Sequence, residues 1–438
     1  MKPPAFIKRL FAPAAQSGSR PDRHTRRTVS LCHALLSERG EASGAALAHE
    51  ALAAYRMLSG PALTAFFDVL AEQFSPDPDA VSEVADRYRL DPSPANLIRL
   101  QQVVEAPRQE LLRRLNRANG GTAALVEMRK RLLRDLKTQP HWAGIDADMA
   151  HLLGSWFNRG FLSLQRIDWR TPALVLEKLM QYEAVHEIQG WRDLRRRLEA
   201  DRRCFAFFHP ALPDEPIIFI EVALTKDMSE RVQPLLDPDS PVVDPASANA
   251  AIFYSITNCQ EGLRGISFGN FLIKQVVEDL GREFPRLKTF ATLSPIPGFR
   301  KWLAETAATH AELAEYASAL DDPAWIGRAG PGTRAQMELL RHCAYYLQHA
   351  KLDNEPADAV ARFHLGNGAR MERLNWLADS SKAGLARSAG LMVNYAYRLK
   401  EVERNHEAYA NKHLVVVSPG LALLARESLL GRAAAKRR

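Results

Sequence analysis

AIFYSITNCQEGLRGISFGNFLIKQVVEDLGREFPRLKTFATLSPIPGFRKW, residues Ala251–Trp302 of the 438, decides the fold. Ala251 to Ile256 is apolar and rich in β-branched and aromatic residues, the composition of a buried strand. Gly262, Arg264, Gly265, Ser267 and Gly269 follow, small or flexible enough for the backbone to bend closely around a ligand with its amides free. Asn270 is a candidate N-cap, and Phe271, Leu272, Val276 and Leu280 recur at helical spacing until Pro285. A helix starting there aims its unsatisfied N–H groups and positive dipole end at the glycine loop, a geometry that holds phosphate. A strand from Thr289 to Leu293 then runs into Ser294-Pro295-Ile296-Pro297-Gly298, where proline fixes the backbone and presents Ser294 at a strand end.

Outward from this stretch, the period of the apolar residues changes once. Residues 30–190 read as consecutive helices: Pro61 to Phe74, with Ser59 as cap and Leu63, Phe66, Phe67, Leu70 and Phe74 on one stripe, and another with Leu125, Met128, Leu132 and Leu136 on one face. Thr171-Pro172 opens a further helix with Thr171 as its cap. From about residue 204 the pattern is that of strands, at Cys204–Phe208 and Ile217–Leu224, so the boundary is expected near residue 190. Residues 225–250 form a proline-rich loop, and 303–352 return to helix, with Met337, Leu340, Ala344 and Leu347 facing inward. The expected organisation is a basic, disordered leader (1–29), a helical bundle (30–190) and an α+β domain (191–438).

Charge argues against a nucleic-acid partner. The net charge is +7, but residues 1–29 carry +6 and residues 428–438 carry +4, which leaves −3 for everything between. Four cysteines, Cys32, Cys204, Cys259 and Cys343, are far apart in sequence and suit reduced thiols in a cytosolic protein. No apolar run approaches bilayer-spanning length, so no membrane association is expected. The Arg-rich, acid-poor leader fits a bacterial cytoplasmic protein, with a mitochondrial presequence as the alternative. His186-Glu187 lacks the second histidine of a metalloprotease helix, since Gly190 occupies that place.

The loop Arg264-Gly265-Ile266-Ser267-Phe268-Gly269 resembles the pyrophosphate loop of the GNAT acyltransferase superfamily, with Ser267 where a glycine is usual. More specific is the surrounding text. FGNFLIKQVVEDLGREFP, TLSPIPGFRKWL, ARFHLGNGA, RLNWLADSS and GLMVNYAY, with the upstream stretch from Trp156 to Trp191, resemble in that order the malonyl-CoA decarboxylase family, whose catalytic domain has the GNAT fold.

That resemblance implies conversion of malonyl-CoA to acetyl-CoA and carbon dioxide by a carboxy-lyase. It implies Ser294 and His364 at the malonyl head, His364 as proton donor to the enolate and Ser294 as its hydrogen-bonding acceptor, and a bundle that joins subunits in a homodimer or homotetramer. Loss of the carboxylate leaves an enolate whose charge sits on the thioester oxygen, so the thioester is its own electron sink and no metal or prosthetic group is expected. Arg264, Gly265, Ile266, Ser267, Phe268, Gly269 and Asn270 are the expected substrate-binding loop, holding pyrophosphate through backbone amides. Lys274, Arg300 and Lys301 are weaker candidates for the 3′-phosphate of CoA; Arg373, Asn375, Trp376, Asn394, Tyr395 and Tyr397 could reach the site from a second layer. Two other readings stay open: a GNAT-type N-acyltransferase, which needs an amine acceptor, and a non-catalytic CoA-binding scaffold.

Overall fold

The computed structural model describes residues 22–436 apart from 269–271, 323, 329 and 331. It divides into two compact units: the residues up to Phe157 together with Glu261–Ile266, and Asn158–Gln260 together with the residues from Ser267 on. The domain boundary thus falls at Phe157/Asn158, not near residue 190.

The first unit is helical. Its helices are α1 (Arg23–Ser37), α2 (Glu41–Arg56), α3 (Gly60–Gln73), α4 (Pro78–Leu90), α5 (Pro94–Val104), α6 (Pro107–Asn116), α7 (Gly121–Asp135) and α8 (Ala143–Trp156). On α3 the expected stripe buries Phe66, Phe67 and Leu70, each worth about 1.5–3 kcal/mol, and Phe67 packs against Trp142 with ring centroids 5.0 Å apart. Leu125, Met128 and Leu132 are buried on α7. Helix α1 corrects the expected leader: it starts at Arg23, capped by Asp22, whose Oδ1 accepts from Thr25 N–H at 2.7 Å. Thr25, Thr28, Cys32 and Leu35 are buried on it, so the arginines there mark an amphipathic helix. Residues 1–21 of that leader lie outside the described residues.

The second unit is a mixed α/β domain. Strands β1 (Ser163–Ile167), β2 (Arg202–His209), β3 (Leu212–Thr225), β4 (Ala250–Asn258), β5 (Thr289–Thr292), β6 (Ser294–Pro295), β9 (Arg370–Asn375) and β10 (Met392–Ala396) form one sheet in the order β1-β2-β3-β4-β5-β10-β6, with β9 also on β10. A separate two-stranded ribbon is β7 (Lys351–Leu352) with β8 (Glu355–Pro356). All pairings in the large sheet are antiparallel except β4 with β5, which are parallel. Parallel neighbours need a crossover. The helix Leu272–Glu283 lies between them in sequence and buries Leu272, Ile273, Val276, Val277 and Leu280.

The boundary moved for a physical reason. Strand β1 reads Ser-Leu-Gln-Arg-Ile, an edge strand with one buried residue, so its alternation does not stand out from a loop. Helix α9 (Ala173–Tyr182), apolar at helical spacing, lays Val175, Leu176 and Leu179 on Ile167, Cys204, Ala206 and Phe219 of this sheet rather than on the bundle. Pro172 takes its N-cap position, and Thr171 instead accepts the Asp168 amide at 3.0 Å. The helices α10 (Trp191–Arg197), α11 (Leu272–Glu283), α12 (Arg334–His349) and α13 (Ala359–Gly366) also belong to this unit. On α12 the buried face runs through Leu339, Cys343, Tyr346 and Leu347 while Met337 is exposed, a rotation from the expected stripe.

Candidate active site

Ser294 and His364, 70 residues apart in sequence, meet: Ser294 Oγ lies 3.0 Å from His364 Nε2. Each arrives on a constrained element. Ser294 opens the two-residue strand β6, paired with Val393 of β10, and Pro295 and Pro297 restrict the backbone that follows it. His364 sits in the last turn of α13, which begins at the Asp358 cap. Both are buried, at 6% and 3% exposure.

Two groups absent from the expected reacting pair complete a chain. Tyr397 Oη lies 2.8 Å from His364 Nδ1, and Ser294 Oγ donates to Thr292 Oγ1 at 2.8 Å. Because the single serine proton goes to Thr292, the bond to histidine must run the other way, from Nε2–H to Ser294 Oγ. His364 is neutral, since burial pushes its pKa down to about 3, so Nδ1 is left as an acceptor and takes the Tyr397 hydroxyl. Burial also holds the Tyr397 phenol well above its ordinary value, in its protonated form. Tyr395 stacks on the imidazole at 4.4 Å between ring centroids and fixes its plane. The result is a neutral relay, Tyr397 to His364 to Ser294 to Thr292.

This relay forms part of the wall of a cavity of about 240 Å³. Val185, Phe253, Tyr254, Ile256, Asn258, Pro295, Ala359, Val360 and Phe363 supply the rest, so among the described residues no lysine or arginine lines it.

The glycine loop is only partly described. Arg264, Gly265 and Ile266 belong to the helical unit, where Arg129 Nη1 donates to the carbonyls of Gly262 and Arg264 at 2.8 and 2.9 Å. The amides of Arg264 and Ile266 already donate to Glu261 O and Leu263 O, so these two are not open to a phosphate as expected. Gly265 has φ +80° and an open Cβ position, and Ser267 is exposed while Phe268 is buried. Gly269, Asn270 and Phe271, and with them the expected cap, lie outside the described residues. Gly262 serves packing: a Cβ there would lie 1.9 Å from the Val126 carbonyl oxygen.

Among the weaker candidates, Lys274 pairs with Glu403 at 2.6 Å and Arg300 with Asp321 at 2.7 Å, while Lys301 reaches Glu305 at 3.7 Å. Asn394 is a structural clamp: its Nδ2 donates to Thr292 O at 2.7 Å and its Oδ1 accepts from Asn375 at 2.8 Å. Arg373 is tied to Glu230 and to the Met228 carbonyl. Of the second-layer residues only Tyr395 and Tyr397 touch the reacting pair.

Comparison with known proteins agrees with this architecture. Residues 74–157 match the family model described as malonyl-CoA decarboxylase N-terminal domain, and residues 160–435 match the malonyl-CoA decarboxylase C-terminal domain. The mitochondrial malonyl-CoA decarboxylase of Rattus norvegicus is 38% identical over 347 residues, covering 72% of this chain and 70% of that protein. Crystal structures of malonyl-CoA decarboxylases from Rhodopseudomonas palustris and Agrobacterium vitis are both 49% identical and both cover 91% of this chain, with 98% and 99% of their own chains matched and TM-scores of 0.87 and 0.84. The chain belongs to the malonyl-CoA decarboxylase family.

Proposed function

We propose that the cavity beside Ser294 takes the acyl end of malonyl-CoA and that Tyr397, His364 and Ser294 deliver the proton that completes its decarboxylation. The protein is a carboxy-lyase, with malonyl-CoA as substrate and acetyl-CoA and carbon dioxide as products. The single observation that carries the assignment of residues is the 3.0 Å contact between Ser294 and His364 in the cavity wall.

The chemistry follows from what lines the cavity. A carboxylate placed there leaves water and meets no cation among the lining side chains, so it is poorly stabilised as an anion. Breaking its bond to the α-carbon releases carbon dioxide and moves the electron pair onto the thioester carbonyl. The resulting enolate takes a proton at carbon from the His364–Ser294 pair. Tyr397 gives its hydroxyl proton to Nδ1 as Nε2–H departs, and solvent restores the tyrosine, so one proton is consumed per turnover. Neither an imidazolium nor a metal enters this sequence, because the thioester itself accepts the electrons.

For the rest of the ligand, the backbone of the Ser267–Phe268 stretch supplies the proposed pyrophosphate contacts. Helix α5 has no buried residue and exposes Ile98 and Val104, which supports self-association through the bundle as a homodimer or homotetramer; light scattering tests it. No helix among the described residues is long and apolar enough to cross a membrane, and a bacterial cytoplasmic location is the proposed one.

The test is incubation with malonyl-CoA alone in deuterated water, after treatment with a chelator. Equal amounts of carbon dioxide and acetyl-CoA carrying one deuterium are expected with no acceptor present. Product formation only after an amine is added would contradict the proposal, and loss of activity on chelation would contradict its metal-free part.

A further inference from the structure

A chain of neutral hydroxyls around an imidazole can be hydrogen-bonded in either of two directions. The contacts of Tyr397, His364 and Ser294 with one another do not choose between them, since each of the three groups can both donate and accept. The choice falls to the next group along. Thr292, 0% exposed, ends β5 two residues before Ser294, and its Oγ1 accepts the Ser294 hydroxyl at 2.8 Å.

Strand β10 holds Thr292 in that role. The ladder between β5 and β10 pairs Ala291 with Ala396, and the Tyr397 amide donates to the Phe290 carbonyl at 2.8 Å. At Thr292 side chains take the ladder's place: its carbonyl accepts from Asn394 Nδ2 at 2.7 Å, and its Oγ1 accepts from the Tyr395 amide at 3.2 Å. An amide can only donate, so one lone pair of the threonine is permanently occupied and the other receives the serine proton. Tyr395 also stacks on the imidazole, so the residue whose amide fixes the threonine is the one whose ring fixes the histidine.

We propose that Thr292 is a positioning residue that sets the direction of the proton relay. By keeping the serine proton, it turns a lone pair of Ser294 Oγ toward His364 Nε2–H and so selects the one tautomer whose Nδ1 accepts from Tyr397. This rests on the reading of Ser294 and His364 as the reacting pair. Without the threonine hydroxyl, His364 Nε2 is the remaining partner of the serine proton among the described residues. The imidazole then carries its own proton on Nδ1 and donates it to Tyr397, which cuts the tyrosine off from the reaction.

The test reads the tautomer of His364 by nitrogen NMR of protein carrying labelled histidine, its signal identified by its loss in His364→Gln. Wild type should carry the proton on Nε2. Thr292→Val keeps the shape of the side chain, removes the acceptor and should move the proton to Nδ1. Its kcat should be about tenfold lower with KM for malonyl-CoA within about twofold. The assay is run well below the unfolding midpoint, because the Tyr395 amide loses its partner. Thr292→Ser, which keeps the hydroxyl, should return the proton to Nε2 and recover most of the lost rate; a threonine that serves packing alone would leave the tautomer unmoved in both variants. Since Thr292 acts through Tyr397, adding Tyr397→Phe to Thr292→Val should lower kcat no further than the larger single loss. A proton on Nδ1 in wild type overturns the proposal without any variant having to fold. So does an unmoved proton, or a kcat within twofold of wild type, in Thr292→Val. If Ser294→Ala and His364→Ala keep their turnover, the reacting pair is what has failed; if they lose it, only the role of Thr292 has.

Discussion

The catalytic domain buries two polar centres built on opposite principles. Around Ser294 every group is neutral: hydroxyl, imidazole, phenol and hydroxyl in series. Around Arg197 the partners are carboxyl groups and a backbone carbonyl. Arg197, 1% exposed, donates to Asp193 at 2.9 Å, to Glu221 at 2.7 Å and to the His186 carbonyl at 2.9 Å. Burial works against its charge, yet Glu221 and Asp193 hold it protonated. Glu183 continues this region, accepting from the Val185 and His186 amides and from Ser255.

The difference has a consequence for function. Ion pairs in a low-dielectric interior are rigid, because separating them costs several kcal/mol, and they suit the task of holding the 183–190 loop, whose Val185 lines the cavity. A chain of neutral hydroxyls and one neutral imidazole can reverse its hydrogen bonds without separating charge. One centre fixes a wall and the other moves a proton.

Acid is the largest lever on the contrast. His364 is held neutral at about 3, against an ordinary 6.5, so the unfolded chain binds a proton that the folded one refuses between those limits. Stability from this group is complete above pH 6.5 and declines as pH falls, by about 5 kcal/mol at most once pH 3 is reached. Urea unfolding at about pH 4.5 and at pH 7 should show wild type losing roughly 3 kcal/mol more than His364→Gln, which has nothing to titrate. Equal losses would mean that the imidazole is accessible to protons.

Arg197→Met comes next. It strands Glu221 and Asp193 without their cation and should cost about 3–5 kcal/mol of stability. Residual activity per folded molecule should fall only as far as the Val185 wall shifts. A full loss of turnover with stability intact would erase the distinction between the two centres. Tyr397→Phe is smaller, expected to lower kcat about tenfold with stability changed by roughly 1 kcal/mol, because only a proton reservoir is removed. The subtlest expectation is in the pH profile: with His364 neutral, log kcat should show no acid limb in the usual imidazole range, and a limb near pH 6.5 would place a titrating histidine in the reaction.

Much of this was legible in the chain because the central elements carry local signals. Apolar runs marked β2 to β5, and a glycine loop followed by a helical period marked α11. The proline turn marked Ser294, and the likeness of the ARFHLGNGA segment to the family's marked His364. What escaped was set by contacts between remote residues. Strand β1 has a single buried residue, and α9 buries its face on a sheet that comes later in the chain, so both read as continuations of the bundle. Tyr395 and Tyr397 are two apart in a strand-like stretch, which places them on one face. That was the available signal for the residues flanking His364, though it did not tell a packing tyrosine from a hydrogen-bonding one.

The central claim is that Ser294 and His364 act as one unit. The direct measurement is the turnover of malonyl-CoA by Ser294→Ala, His364→Ala and the double variant, with CoA affinity measured alongside. Each single substitution should cost about a hundredfold in kcat, the double no more than either, and CoA binding should remain. Losses that multiply in the double variant, or single variants within a few-fold of wild type, would contradict it.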